Sequence, residues 1–180
     1  MNRELIEEII ATPYVKKEFH YEKNGLFFEC YFIYKESGEL IEGEIRLSND
    51  PNMRVFGSVD VSINLERLKN ENRAGFGELF VNGEIQNNGI GKALMLSALD
   101  EIQSFKEYCG VDSDVRVSGW LSQADSARNW AVSVPMYEKV GKIAGIRTAF
   151  LIQDTQKEVA TAEEFFRNVG DSDGTIVYFV

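Results

Sequence analysis

Residues Gly77 to Cys109 read GELFVNGEIQNNGIGKALMLSALDEIQSFKEYC. The stretch opens with apolar alternation, Leu79 and Val81 against Phe80 and Asn82. A polar turn bearing two glycines follows, Gln86-Asn87-Asn88-Gly89-Ile90-Gly91, and then a long helical pattern. Strand, tight glycine turn and helix together aim backbone N–H groups outward. The first turn of a helix has unpaired donors and a partial positive charge. A phosphate fits there with no side-chain help. The stretch is therefore expected to be a cofactor site.

Beyond it, Leu94, Ala98, Ile102 and Phe105 share one helical face, and Gly110 is placed to end the helix. Asp112-Ser113-Asp114 makes a turn into a strand, VRVSGWL. Strand, helix and strand in this order imply parallel pairing with a right-handed crossover. Upstream, residues 2–11 form a short amphipathic helix that Pro13 stops. From Tyr14 to Ile63 the pattern is strand, broken by turns at Asn24-Gly25 and Ser37-Gly38 and by the loop SNDPN. That is an antiparallel meander. Residues 64–74 are polar and turn-like, with room for one helical turn. In residues 123–141, Pro135 obstructs a continuous helix, so Ser133 is expected to cap a short helix ending near Val140. GIRTAFLIQ then reads as a strand and TAEEFFRNVG as a helix capped by Thr161. The last strand, TIVYFV, either completes the sheet or pairs with another subunit as a homodimer.

The fold class is thus α/β (α+β): a mixed, mostly antiparallel twisted sheet, a central parallel strand–helix–strand unit, and flanking helices. A chain of 180 residues suits a single domain spanning 1–180. No apolar run reaches membrane-span length, and acidic residues interrupt the apolar pattern of the N-terminus, so a cytoplasmic location is expected. The formal charge of −10, from 19 basic and 29 acidic residues, argues against nucleic acid as a partner. It is compatible with a cationic amine, but acidity that serves solubility alone is the favoured reading. Cys30 and Cys109 stand in unlike contexts and are expected to be free thiols. One histidine, His20, and no Cys/His cluster leave no basis for a metal.

Two phosphate-binding patterns fail here. A P-loop requires GxxxxGK followed by Ser or Thr, whereas Lys92 is followed by Ala93 and Gln86 stands at the first glycine's place. A dinucleotide fingerprint requires GxGxxG, and Leu94 occupies its third glycine. Gln86, Gly89 and Gly91 instead satisfy Q/R-x-x-G-x-G/A. The phrase LFVNGEIQNNGIGKALM resembles the phosphate-binding motif of the GNAT superfamily of acyl-CoA N-acyltransferases. MYEKVG, Met136 to Gly141, is similar to that family's later tyrosine signature. The resemblance is carried by residues 76–141, whereas the N-terminal helix and meander of residues 1–63 depart from the family's pattern.

The resemblance implies an N-acetyltransferase that moves an acetyl group, not an aminoacyl group, from acetyl-CoA to a primary amine. The acceptor would be a small-molecule amine or a protein amine, attacking directly in a ternary complex without a metal, nucleic acid or membrane. It implies that Phe80 and Val81 bind the pantetheine arm through their backbone. Gln86, Asn87, Asn88, Gly89, Ile90 and Gly91 would hold the pyrophosphate, with Lys92 adding charge beside it. Tyr137 would protonate the departing thiolate; a phenol's ordinary pKa of about 10 suits that task. The base is open among Glu78, Glu84 and Asp60, with Glu78 the first candidate. The oxyanion would be held by a backbone N–H near Phe80 or Val81, where the family's strand bulges. Seven residues before the tyrosine the family has Asn; here Trp130 stands there and Asn129 precedes it, so either residue lines the channel. Lys142 replaces the family's phenylalanine after the last glycine. These departures motivate an alternative, a catalytically silent acyl-CoA-binding or protein-interaction domain.

Overall fold

The computed structural model describes residues 1–48, 55–85, 88–122, 126–170 and 174–180. They fall into two compact units, Met1–Val115 and Arg116–Val180.

The first unit begins with α1 (Arg3–Ala11), whose N-cap Asn2 accepts a hydrogen bond from the amide of Leu5. Five strands follow: β1 (Lys17–Lys23), β2 (Leu26–Lys35), β3 (Leu40–Ser48), β4 (Val55–Asn64) and β5 (Arg73–Val81). They lie side by side in chain order, each antiparallel to the next, which is the expected meander. Asn24 and Gly25 both take positive φ, 57° and 72°, as a two-residue turn between right-twisted strands requires. The polar segment after β4 forms α2 (Leu65–Glu71), capped by Asn64 and closed by Asn72 in the left-handed region. α3 (Ile90–Tyr108) is the long helix that the sequence announced.

Alternation divides this sheet into two unlike faces. Phe28, Cys30, Phe32, Ile45, Val59 and Val61 turn inward and are buried. Leu94, Met95, Ala98, Ile102 and Phe105 of α3 are buried too, and the rings of Phe32 and Phe105 meet with centroids 5.9 Å apart. At ~25 cal/mol per Å² of apolar area, this burial is the main stabilising term of the unit. The opposite face carries Glu18, Tyr31, Glu44 and Asp60, which are consecutive cross-strand partners from β1 to β4. None of these four is buried.

The second unit contains β6 (Arg116–Ser122), α4 (Ser126–Ala144), β7 (Thr148–Ile152), β8 (Lys157–Val159), α5 (Ala162–Asn168) and β9 (Gly174–Phe179). Its strand order is β6-β9-β7-β8. β9 pairs with β6 on one side and β7 on the other, so the C-terminal strand completes this sheet and has no free edge. Every described ladder within either unit is antiparallel. The parallel step expected across α3 would run from the first unit to the second. The mostly antiparallel sheet with flanking helices is the fold class that the sequence predicts.

Two expectations for this unit need correction. α4 runs unbroken from Ser126 to Ala144 with Pro135 inside it; Ser133 is not an N-cap. Proline removes one hydrogen bond, leaving the carbonyl of Ala131 without its donor. Both Ala131 and Pro135 are exposed, so solvent can reach that carbonyl, and the apolar face of the helix can stay continuous. The short β8, which pairs Lys157 to Val159 with β7, had no alternation long enough to be recognised.

Candidate functional site

The described part of the turn before α3 combines features that suit an anion. Gly89 is the N-cap, with φ 81° and ψ 5°, in the left-handed region that side chains disfavour. Among the described residues no side chain caps the helix start, and the Ala93 amide donates to the Gly89 carbonyl at 3.0 Å. A Cβ added at Gly89 would lie 4.0 Å from the Lys92 ammonium, so that charge curls back over the turn. Buried Ile90 anchors the turn in the core, while Asn88 is exposed. Donors, positive charge and anchoring thus coincide at residues 88–92. Gln86 and Asn87, also expected here, lie outside the described residues.

In β5 the structure moves one expected feature. Val59 pairs with Leu79, but Val61 pairs with Phe76, so Asp60 faces both Gly77 and Glu78. The bulge therefore sits at Gly77–Glu78. It is not at Phe80 and Val81, which keep regular register opposite Ser58 and Gly57. The reason lies in Gly77: a Cβ there would stand 3.0 Å from the Asp60 Cβ, and glycine lets the extra residue fit. The amide of Glu78 donates to the Asp60 carboxylate. Desolvation pushes the Asp60 carboxyl above its ordinary pKa, and the negative charges of Glu44 and Glu78 add to this; the Glu78 amide opposes it. Glu78 and Phe80 are both exposed, as alternation predicts, and Val81 is half-buried. Glu84 sits in a 3-10 turn over Gly83–Ile85, where its amide bonds the Asn82 side chain at 3.1 Å.

In the second unit, Trp130 and Tyr137 lie seven residues apart on α4, roughly 10 Å along its axis at 1.5 Å per residue. Both are buried, at 7% and 3% exposure, which puts them on one inward face. The Trp130 ring meets Phe165 edge-on at 5.5 Å, and its indole N–H has no acceptor among the described residues. The Tyr137 ring meets Phe179 at 6.0 Å. Its carbonyl accepts a bond from Thr148 Oγ1 at 3.3 Å. Gly141, last of the MYEKVG phrase, has a packing reason: a Cβ there would collide with Thr148 Oγ1 and stand 3.0 Å from the Ile146 carbonyl. The Lys142 ammonium bonds Glu138 at 2.6 Å, and that bond leads the causes that lower the Glu138 pKa. Asn129 is helical; its side chain is outside the described set.

The structure thus brings Glu78, Phe80 and Val81 together with Asn88–Lys92 in one strand–turn–helix of the first unit. It brings Trp130 and Tyr137 together on one helix of the second. It adds what sequence reasoning missed, the pairing of Asp60 with the bulge and the row Glu18–Tyr31–Glu44–Asp60. Polar residues at alternate strand positions were the available signal for that row. Among the described residues, no group of three or more His, Cys, Asp or Glu could hold a metal, and no helix is long and apolar enough to cross a membrane. Cys30 and Cys109 are free.

Searches of family models and of curated proteins gave no match. Several solved structures are similar to this chain. One is diaminobutyrate acetyltransferase EctA from Paenibacillus lautus in complex with L-2,4-diaminobutyric acid and coenzyme A. It is 11% identical, with 76% of this chain and 68% of that chain covered and a TM-score of 0.44. A Bacillus subtilis acetyltransferase in complex with CoA is 14% identical, with coverage of 77% and 76% and a TM-score of 0.43. Nourseothricin acetyltransferase is 13% identical, with coverage of 96% and 90% and a TM-score of 0.41.

Proposed function

We propose that the chain is an acyl-CoA N-acyltransferase of the GNAT type, transferring an acetyl group from acetyl-CoA to a primary amine. The observation that carries this reading is the uncapped start of α3, with left-handed Gly89 and the Lys92 ammonium folded over the turn. Such a turn suits a pyrophosphate. The MYEKVG phrase with buried Tyr137 supports the same reading.

In the proposed reaction the amine nitrogen attacks the thioester carbonyl carbon. A C–N bond forms and the C–S bond breaks. The proton leaving the amine goes to the Asp60–Glu78 pair across the bulge. Both carboxylates stand at the bulge, and the Glu78 charge helps raise the Asp60 pKa, so the base is assigned to the pair. Tyr137 gives its phenolic proton to the departing thiolate and then recovers a proton from solvent, and the products are an amide and free coenzyme A. Backbone groups of Phe80 and Val81 would bind the pantetheine arm; Asn129 or Trp130 would line its channel.

The test is calorimetric titration with acetyl-CoA beside an acyl-transfer assay on a panel of amines. Acetyl-CoA binding with transfer supports the enzyme. Binding with no transfer to any amine supports the silent acyl-CoA-binding domain, which the replacement of the family's Asn by Trp130 favours. Absence of binding contradicts both.

A further inference from the structure

The open face of the first unit holds a groove of about 430 Å³ that the turn and Tyr137 do not use. Its lining includes Lys16, Tyr31, Glu42, Glu44, Asp60 and Gly77. Tyr31, Glu44 and Asp60 lie in one lateral row, each the cross-strand partner of the next, and the bulge continues the row onto β5. At roughly 4.8 Å between strands, the Tyr31 and Asp60 positions are separated by about 10 Å.

This groove already contains an alkylammonium, and it belongs to the chain. The Lys16 Nζ lies 3.9 Å from the centroid of the Tyr31 ring. The Arg46 guanidinium is also near that ring, at 4.8 Å, and holds Glu44 through two bonds of 3.0 Å. Lys35 pairs with Glu42 at 2.5 Å. Asp60 is different: no cation among the described residues pairs with it, and Glu44, Glu78 and Glu42 all press on it electrostatically. The groove therefore has one cation position filled by a flexible, exposed lysine and one carboxylate whose charge is unmatched. An aromatic ring and a carboxylate both favour an alkylammonium, the ring through its negative face.

We propose that this groove binds the acceptor, and that the acceptor is a compact amine with a second cationic centre, an α,ω-diamine or short polyamine. One ammonium meets Asp60 beside the bulge, gives up one proton there to become the nucleophile, and releases a second to the Asp60–Glu78 pair as the C–N bond forms. The other replaces Lys16 over the Tyr31 ring. The proposal rests on the acyltransferase reading for the reaction but not for the binding.

The test is calorimetry with 1,4-diaminobutane, 1,6-diaminohexane, n-butylamine and n-hexylamine, each with and without saturating coenzyme A. Coenzyme A itself is titrated separately. The expected result is that at least one diamine binds at least tenfold more tightly than the monoamine of equal length. Asp60→Asn and Tyr31→Ala should each lose tenfold or more for that diamine while retaining coenzyme A affinity and the circular dichroism of the native chain. Lys16→Ala should bind it severalfold more tightly, since its competitor is gone. Equal binding of diamines and monoamines, unaltered diamine binding in Asp60→Asn, or weaker binding in Lys16→Ala overturns the proposal. Diamine binding without coenzyme A binding would uphold the groove and defeat the transferase reading; coenzyme A binding with no amine preference would do the reverse.

Discussion

At the scale of single residues, the proposed function gives its sharpest roles to Gly89 and Tyr137. A β-branched side chain at Gly89 would have to adopt φ 81°, which costs roughly 1–2 kcal/mol and would reshape the turn that aims the amides. Gly89→Val is expected to lower coenzyme A affinity at least tenfold, measured by calorimetry, with the helical circular dichroism unchanged. Tyr137→Phe is expected to reduce acyl transfer by about 10²–10⁴-fold, the range of a general acid, while coenzyme A affinity persists. Unaltered transfer would remove Tyr137 from the chemistry. Asp60 has a consequence for stability. Desolvation and neighbouring carboxylates raise its pKa in the fold, so the native state keeps its proton to higher pH than the unfolded chain. Above its ordinary value of about 3.9, stability should therefore fall as pH rises toward the raised value. Asp60→Asn should flatten that slope in urea unfolding measured across this window; an unchanged slope would contradict the assignment.

At the scale of elements, α4 shows how the MYEKVG motif serves packing. Gly141 lets the helix approach β7, and Gly141→Ala would drive a methyl group into Thr148 and toward the Ile146 carbonyl. Overpacking of this kind costs about 1–3 kcal/mol, readable as a lower urea midpoint. Thr148→Ala in the same chain should recover part of the loss, since the nearest clash is with that side chain. Most elements were legible because their signals were local. Asn24-Gly25 set β1 against β2, and Ser37-Gly38 lay at the turn setting β2 against β3, so the pairing of Tyr31 with Glu18 and Glu44 was within reach of the sequence. The bulge was not, because it depends on Gly77 meeting Asp60 from another strand. Pro135 misled for a similar reason: the rule of local cost is sound, but an exposed carbonyl and a continuous buried face outweigh it. Within the candidate site, Asn88 to Lys92 were expected from the glycine turn before a helix and Tyr137 from the family resemblance, whereas the open-face groove required a register.

At the scale of the whole molecule, the open sheet face of the first unit pairs Glu42 with Lys35 and Glu44 with Arg46, and leaves Asp60 with no cation partner among the described residues. A dicationic acceptor should feel that charge from solution, and salt should screen it, since the Debye length falls to ~10 Å at about 0.1 M. Diamine affinity should drop severalfold between about 20 and about 200 mM salt; a flat response would contradict electrostatic recognition. The central claim, however, concerns the turn before α3. It is tested most directly by calorimetric titration of acetyl-CoA into the native chain and into Gly89→Val. The account predicts one-to-one binding to the native chain and at least a tenfold loss in the variant. No binding by the native chain, or equal binding by both, would contradict it.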